Sequence, residues 1–421
     1  MKPDKPIITS LLQNDFYKIT MWYFIWKHFP EVKATFGFKN RTLSIPLGRY
    51  LYIDEIQEQF DHARTIRLTR GETKWIAGTD EYGSNMFPSQ FIESIKSFSL
   101  PEYLLERDGD NLRIEFSGLW VDSTQWEIPC LLIINSLLNR ARLSTFSRAE
   151  REGIMAQGTL NLLAKIAKIK SYRYVDEFTF SDFGTRRCFS PEWQDYVVGV
   201  LQEEVPGQLR GTSNCYLAQK YNLMPMGTRA HELDMVVSAL AGNNDDQVRQ
   251  TPFEVCRLWS PGTFGKGLQT HLPDTFGSDH FFKNAPPELA KWKAVRQDSG
   301  DPYVLGEKAV RWYEKHGEDT RDKILIPSDG LNVDLMLKLH AHFRRRISIS
   351  PGWGTNLTND MGFRRHIFNP VSIVVKPIEA NGRPTVKLSD NIAKATGNPE
   401  EIQRFKKVFQ YTNTASQACI Y

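Results

Sequence analysis

Cysteine is scarce in this chain of 421 residues. There are five, Cys130, Cys188, Cys215, Cys256 and Cys419, with no C-x-x-C pair among them. A scattered, odd set excludes a disulfide framework and fits a reducing, cytoplasmic compartment. Charge of one sign is scarce too: 53 Lys and Arg stand against 49 Asp and Glu, a net of +4. That argues against a surface built for nucleic acid and leaves room for a local basic pocket. Long apolar runs are missing. The longest, IPCLLIINSLLN over 128–139, is too short to span a bilayer, and Asp4, Lys5, Asp15 and Lys18 interrupt the N-terminus, so neither a membrane span nor a signal peptide is expected. Three familiar catalytic loops are also missing: G-x-x-x-x-G-K-[ST], G-x-S-x-G and H-E-x-x-H. Any ATP must be held without a Walker loop, and His231 has no second histidine placed to share a zinc ion.

What is present is ordinary globular material, 41 % hydrophobic and 24 % charged, in a chain long enough for two or three domains or for one barrel with an added layer. MWYFIWKHF (21–29) reads as part of a buried helix, and KATFGFKNRT (33–42) as a strand leading to a loop. REGIMAQGTLNLLAKIAKIK (151–170) carries helical spacing. From about residue 172 strands and helices alternate. YVDEFTF (174–180) reads as a strand, Ser190-Pro191 opens a helix, LMPMG (223–227) is a short strand, and a helix follows from Thr228. KAVRQDSG (293–300), KILIPSDG (323–330) and RISISPGWG (346–354) are strand-then-loop units, with the helix LNVDLMLKLHAHF (331–343) between the last two. Such alternation predicts parallel β/α architecture. The segment 371–390 breaks the rhythm. It is a hairpin with Asn381-Gly382 at its turn, expected to return to the N-terminal region.

Several predicted strand ends carry Gly-Thr, at 184–185, 227–228 and 354–355, with another pair at 211–212. Glycine admits close backbone approach and threonine caps a following helix, so these are either good βα turns or parts of a phosphate site. GWGTNLTND (352–360) is the best phosphate cradle. RQDSGDP (296–302) packs Arg296, Asp298 and Asp301 into one turn. Arginine suits bidentate capture of carboxylate or phosphate, and the acids could hold hydroxyls or Mg²⁺. Asp329 offers a second strand-end carboxylate, and FGTRR (183–187) an aromatic with two arginines. His231, in GTRAHELD (227–234), stands one turn inside the predicted helix. Spacing leaves it as a packing residue, an anion donor or a phosphoryl nucleophile, with Glu232 or a carboxylate from another strand orienting the ring.

Taken in order, NDFYKITM, FKNRT, DFGTRR, GTSN, GTRAHE, RQDSGDP, PSDGLN and GWGTNLTND resemble the nicotinate phosphoribosyltransferase family, over nearly the whole chain. The resemblance implies transfer of phosphoribose from phosphoribosyl pyrophosphate (PRPP) to nicotinate, in NAD salvage, coupled to ATP hydrolysis through a phosphohistidine at His231, with Mg²⁺ as cofactor. It implies that Tyr17 and Phe183 sandwich the pyridine, with Arg186 beside the ring and Thr228 and Arg296 contacting nicotinate. Asp298 and Asp329 would lie near ribose and pyrophosphate, and Gly354 and Thr355 on the 5′-phosphate; no metal ligand is assigned. Leu233 stands where many relatives carry an aromatic. The implied fold is an irregular α/β barrel (141–360) joined to an N-terminal α/β domain (1–140), with the C-terminal segment (361–421) returning to it. A cytoplasmic homodimer is expected. The rivals are a nicotinamide phosphoribosyltransferase and a non-catalytic phosphoribosyl-binding protein. A quinolinate enzyme is disfavoured because that family lacks the phosphoacceptor histidine.

Overall fold

The computed structural model describes residues 5–362, 367–413 and 416. Cys419 lies outside them, and the other four cysteines are buried free thiols. Among the described residues no helix is long and apolar enough to cross a membrane. The run at 128–139 instead forms the middle of a helix, Glu127–Ser144, buried through most of its length.

The alternating segments fold as expected into short parallel strands with helices between them. They divide into two four-stranded sheets. One runs Ser348–Ile349, Ile324–Pro327, Ala294–Gln297, Thr270–His271; the other runs Gly352–Trp353, Phe180–Asp182, Leu209–Thr212, Met224–Pro225. Pairing within each is parallel. Among the described residues no strand pairing joins the two sheets edge to edge, so the closed ring of a regular barrel is not made.

A third, antiparallel sheet covers them. Its order is Arg383–Pro384, Ile373–Ala380, Lys33–Asn40, Asn111–Leu119, Leu104–Asp108. The hairpin does return to the N-terminal region: Ile373–Ala380 pairs along Lys33–Asn40, with a bulge at Thr35/Phe36. Asn381 (φ 46°) and Gly382 (φ 77°) make the turn in the left-handed region that asparagine and glycine tolerate. A main hydrophobic core runs beneath all three sheets, and a smaller cluster, including Phe276, Leu388, Phe405 and Phe409, seals the C-terminal segment onto the parallel part.

Three local expectations are corrected. Residues 174–180 are not one strand: Val175–Glu177 is a 3-10 turn and the strand is Phe180–Asp182. Tyr174 lies under the Arg344 guanidinium, 3.8 Å from its ring centre, and Arg344 also bonds Glu177, so this stretch clasps the surface. The helix does not begin at Thr228 but at Glu232, with His231 in the N-cap position. Residues 227–228 are spent on crosslinks instead: a Cβ at Gly227 would sit 2.7 Å from the Tyr17 amide nitrogen, and the Thr228 carbonyl accepts from Thr20 Oγ1 at 2.5 Å. RISISPGWG supplies two strands, Ser348–Ile349 and Gly352–Trp353, one to each parallel sheet. Gly211-Thr212 closes the strand Leu209–Thr212.

Candidate active site

Loops leaving the C-terminal ends of the parallel strands meet the antiparallel hairpin around a cavity of about 270 Å³. Eight of the ten predicted site residues line it: Phe183, Arg186, His231, Arg296, Asp298, Asp329, Gly354 and Thr355. Tyr17 and Thr228 do not. Tyr17 is buried behind Arg186, whose guanidinium carbon is 5.9 Å from the ring centre. Thr228 is held by its carbonyl, as above.

His231 is almost wholly buried, 3 % exposed. Nε2 meets Asp298 Oδ2 at 2.9 Å, and Nδ1 lies 2.9 Å from Thr275 Oγ1, which donates to Asp234 Oδ2 at 3.0 Å. The orienting groups are therefore Asp298 and Thr275. Glu232 points elsewhere, into a salt bridge with Lys18. Burial, with the Lys387 charge, lowers the His231 pKa to about 4 against the pull of Asp274 and Asp298. A neutral imidazole is the form a nucleophile requires.

Asp298 is the hub of the polar end. Burial opposes its charge, but Arg296 and His231 hold its carboxyl well below the usual range. Arg296 Nη2 donates to Asp298 Oδ1 at 2.7 Å and Nε to Ser328 Oγ at 3.0 Å. Asp329 pairs with Lys394 at 2.6 Å. Asp301 does not join them: it caps the helix Pro302–Lys315, accepting from the amides of Tyr303 and Val304.

At the aromatic end, Phe183 lies against Gly352, where a Cβ would be 3.2 Å from the ring, and against Gly354, where a Cβ would be 3.2 Å from the Phe183 carbonyl oxygen. These glycines are contact glycines: a side chain would push the loops off the ring. Behind Phe183, the wholly buried Asp182 accepts from the Gly184 amide (2.8 Å), Gln194 (2.8 Å) and Thr212 (2.7 Å). Burial pushes its carboxyl up to about 6, against those hydrogen bonds.

Several lining residues carried no prediction. Arg41, Arg187, Lys376, Lys387 and Lys394 bring the lysines and arginines on the wall to seven, with Arg186 and Arg296, against two carboxylates, Asp298 and Asp329. A cavity so unbalanced is built for a polyanion. Arg41 and Lys376 arrive by pairing across more than 300 residues, which no local motif reveals, and Lys387 and Lys394 follow on the same C-terminal segment. Asp274 was also missed. Its Oδ1 lies 3.8 Å from His231 Nε2 and has no hydrogen-bond partner among the described residues. Ligand atoms of His231, Asp274 and Asp298 all fall within 4.8 Å of one another, close enough to share a cation.

Parallel strand ends presenting an aromatic ring, a buried neutral histidine and a polycationic wall define an enzyme that handles phosphorylated ligands. Comparison with known proteins narrows this. Residues 12–135 match the model of the nicotinate phosphoribosyltransferase N-terminal domain, and residues 178–413 that of the nicotinate phosphoribosyltransferase (NAPRTase) family. A crystal structure of nicotinate phosphoribosyltransferase from Porphyromonas gingivalis is 30 % identical, covers 96 % of this chain and 100 % of its own, and superposes with a TM-score of 0.83. One from Vibrio cholerae is 28 % identical over 97 % of this chain and 95 % of its own, with a TM-score of 0.84. The chain belongs to the nicotinate phosphoribosyltransferase family.

Proposed function

We propose that this chain transfers phosphoribose from PRPP to nicotinate, releasing nicotinate mononucleotide and pyrophosphate for NAD synthesis, and that it couples the transfer to ATP hydrolysis through a phosphohistidine at His231. One observation carries the reading: the ring-and-arginine end at Phe183 and Arg186, and the polycationic end holding neutral His231, open into one cavity.

The pyridine nitrogen attacks C1 of the ribose with its own lone pair while the C1–O bond to pyrophosphate breaks. No general base is required. The ribose centre is oxocarbenium-like, as in glycoside cleavage. Catalysis is then placement of the two substrates and stabilisation of the departing charge. Phe183 stacks on the pyridine with Tyr17 closing the pocket from behind, and Arg186 faces the carboxylate. Arg296 completes the nicotinate end, and Thr228 braces the helix of Tyr17 through its carbonyl. Asp298 and Asp329 serve the ribose hydroxyls, Gly354 and Thr355 the 5′-phosphate, and Lys376, Lys387, Lys394 and Arg41 the pyrophosphate. In the coupled step His231 attacks the γ-phosphorus of ATP and expels ADP, and water later releases phosphate.

The carboxylates of Asp274 and Asp298 suit Mg²⁺, which prefers oxygen ligands and few protein carboxylates. When bound, the ion neutralises phosphate charge. Four buried free thiols fit the reducing cytoplasm in which the reading places the enzyme. A homodimer is part of the same reading. In that reading the active sites use both subunits, so turnover is expected to fall on dilution below the dimer dissociation constant.

Nicotinate, nicotinamide and quinolinate are offered separately with PRPP and Mg²⁺, with and without ATP. Mononucleotide from nicotinate, strongly raised by ATP, supports the proposal, and product only from nicotinamide moves it to that substrate. His231→Ala is expected to abolish the ATP stimulation and keep some uncoupled transfer. Stimulation that survives this change unaltered would refute the phosphohistidine.

A further inference from the structure

Behind the cavity lies a cluster of charges that the mechanism above does not use. Lys18 is 0 % exposed and its ammonium is shared by two buried carboxylates, Glu127 Oε2 at 2.7 Å and Glu232 Oε2 at 2.6 Å. It also donates to Thr124 Oγ1 at 3.0 Å. Glu232 Oε1 in turn accepts from Trp120 Nε1 at 2.7 Å and from Thr124 Oγ1 at 2.5 Å. Every polar atom of this knot is engaged, and its two carboxylates lead in different directions. The other oxygen of Glu127 lies 3.8 Å from Arg186 Nη1 and 3.3 Å from Lys376 Nζ, two cations on the cavity wall. Glu232 is the first residue of its helix and follows His231 directly.

The charges alternate along this path: Arg186, Glu127, Lys18, Glu232. Glu127 is held ionised, its carboxyl far below the usual range, by Lys18, Lys376 and Arg186 against its burial. The Arg186 contact is the long one, so this guanidinium keeps part of its hydrogen-bonding capacity for a ligand. Without the ammonium, Glu127 would be a buried anion short of a partner, and Arg186 and Lys376, the two cations beside its other oxygen, would close on it. Glu232 would likewise repel Glu127 and turn away, carrying the helix start with it.

We propose that Lys18 is a positioning residue serving two parts of the reaction at once. Through Glu127 it keeps Arg186 available to the pyridine carboxylate, and through Glu232 it fixes the helix start that presents His231. The second arm rests on the ATP-coupled reading above; the first needs only nicotinate transfer.

The two arms are separable by choosing which carboxylate to neutralise. Lys18→Met is expected to raise the nicotinate KM about tenfold and to reduce the stimulation by ATP. Adding Glu127→Gln should restore the nicotinate KM and leave the stimulation low. Adding Glu232→Gln should restore the stimulation and leave the nicotinate KM high. The KM for PRPP should stay within about twofold in the variant carrying Glu232→Gln, which general damage would not allow, and Lys18→Arg should keep both properties. The two double variants decide the matter even where the single variant fails to accumulate, because each removes one buried anion along with the cation. One suppressor restoring both properties, or Glu232→Gln alone restoring the nicotinate KM, overturns the proposal. Were the unmodified enzyme to show no ATP stimulation, the coupled reading would fall, and the KM arm would still decide the role of Lys18.

Discussion

The cavity has two walls of different origin. The parallel strand ends contribute Phe183, Arg296, Asp298 and Asp329, an aromatic, a cation and two carboxylates, carried by three strand-and-loop units. The antiparallel layer and the segment after it contribute four cations, Arg41, Lys376, Lys387 and Lys394, beside the apolar Val374. One wall discriminates between atoms of the substrates and the other neutralises charge. Changes in the first should therefore lower the rate constant, and changes in the second should weaken the binding of PRPP.

The largest effect is expected at Arg296. Its guanidinium fixes Asp298 at 2.7 Å and Ser328 at 3.0 Å, so Arg296→Ala removes a charge and loosens the hub carboxylate together. The value of kcat/KM for nicotinate should fall about 100- to 1,000-fold, the usual result of losing a preorganised donor. A thermal melt within a few degrees of the unmodified protein would show that the loss is local. A change confined to the PRPP KM would erase the distinction between the walls.

Lys387 tests the other wall. It is 5 % exposed, and burial lowers its ammonium to about 8 despite Asp274 and Asp298 nearby. The group is charged below that pH and neutral above it. Free enzyme should thus lose PRPP affinity as pH rises through about 8, while kcat, measured with the phosphates already bound, holds. Lys387→Arg should abolish the alkaline fall. Lys387→Ala should raise the PRPP KM about 10- to 100-fold at neutral pH, the range of a charged hydrogen bond of about 1.5–3 kcal/mol. An alkaline fall that persists unchanged in the Arg variant would assign the titration elsewhere.

The first wall was legible in the sequence and most of the second was not. Phe183, Asp298, Asp329 and Gly354 follow strands directly, so local pattern and turn chemistry found them. Asp301, in the same motif as Asp298, was misread because a carboxylate in a βα loop serves equally as a helix cap, and spacing cannot separate the two uses. Asp182 is the first residue of a quoted motif and still went unnoticed, since nothing local says that a loop amide, a helix side chain and a strand side chain converge on it. For the hairpin there was one signal. Lys376 stands in the apolar run IVVKPI, where a charged side chain must be paired or functional. The hairpin and its return to the N-terminal region were correctly expected, but its register against Lys33–Asn40, which decides which lysines face the cavity, is a tertiary property. The helix at His231 started late for a related reason: Gly227 and Thr228 are committed to the first helix of the chain, and tertiary contact overrode helical preference.

Stability should separate the walls as well, through pH. Burial lowers His271 to about 3, His280 to about 4 and His231 to about 4. Each depressed pKa means that the unfolded chain binds the proton more readily. The stability these neutral rings contribute is present above the ordinary histidine value of about 6.5 and is lost as pH falls through about 4. His271 stacks on Trp292 at 4.5 Å between ring centres and bonds the Leu289 carbonyl at 2.8 Å, deep in the parallel half. Acid melts should show the parallel half weakening over that interval. His271→Gln, whose amide nitrogen reaches about as far as Nε2, should flatten the dependence; an unaltered slope would remove His271 from the account.

The smallest expected effect is at the hairpin turn, and it bears most directly on how the second wall is held. Gly382 has φ 77° and no heavy atom within 4 Å of a Cβ built there, so Gly382→Ala introduces backbone strain without a clash. The cost should be about 1 kcal/mol, which in a chain of this length is on the order of 1 °C in Tm. The lysines lie on either side of this turn, but Lys376 is anchored by its strand pairing and by Glu127, and Lys394 by Asp329. If those anchors hold the wall, the PRPP KM of Gly382→Ala should match that of the unmodified enzyme within about twofold despite the lower Tm. A KM rising along with the loss of stability would mean that the turn itself sets the register, and that the cationic wall is only as firm as its hairpin.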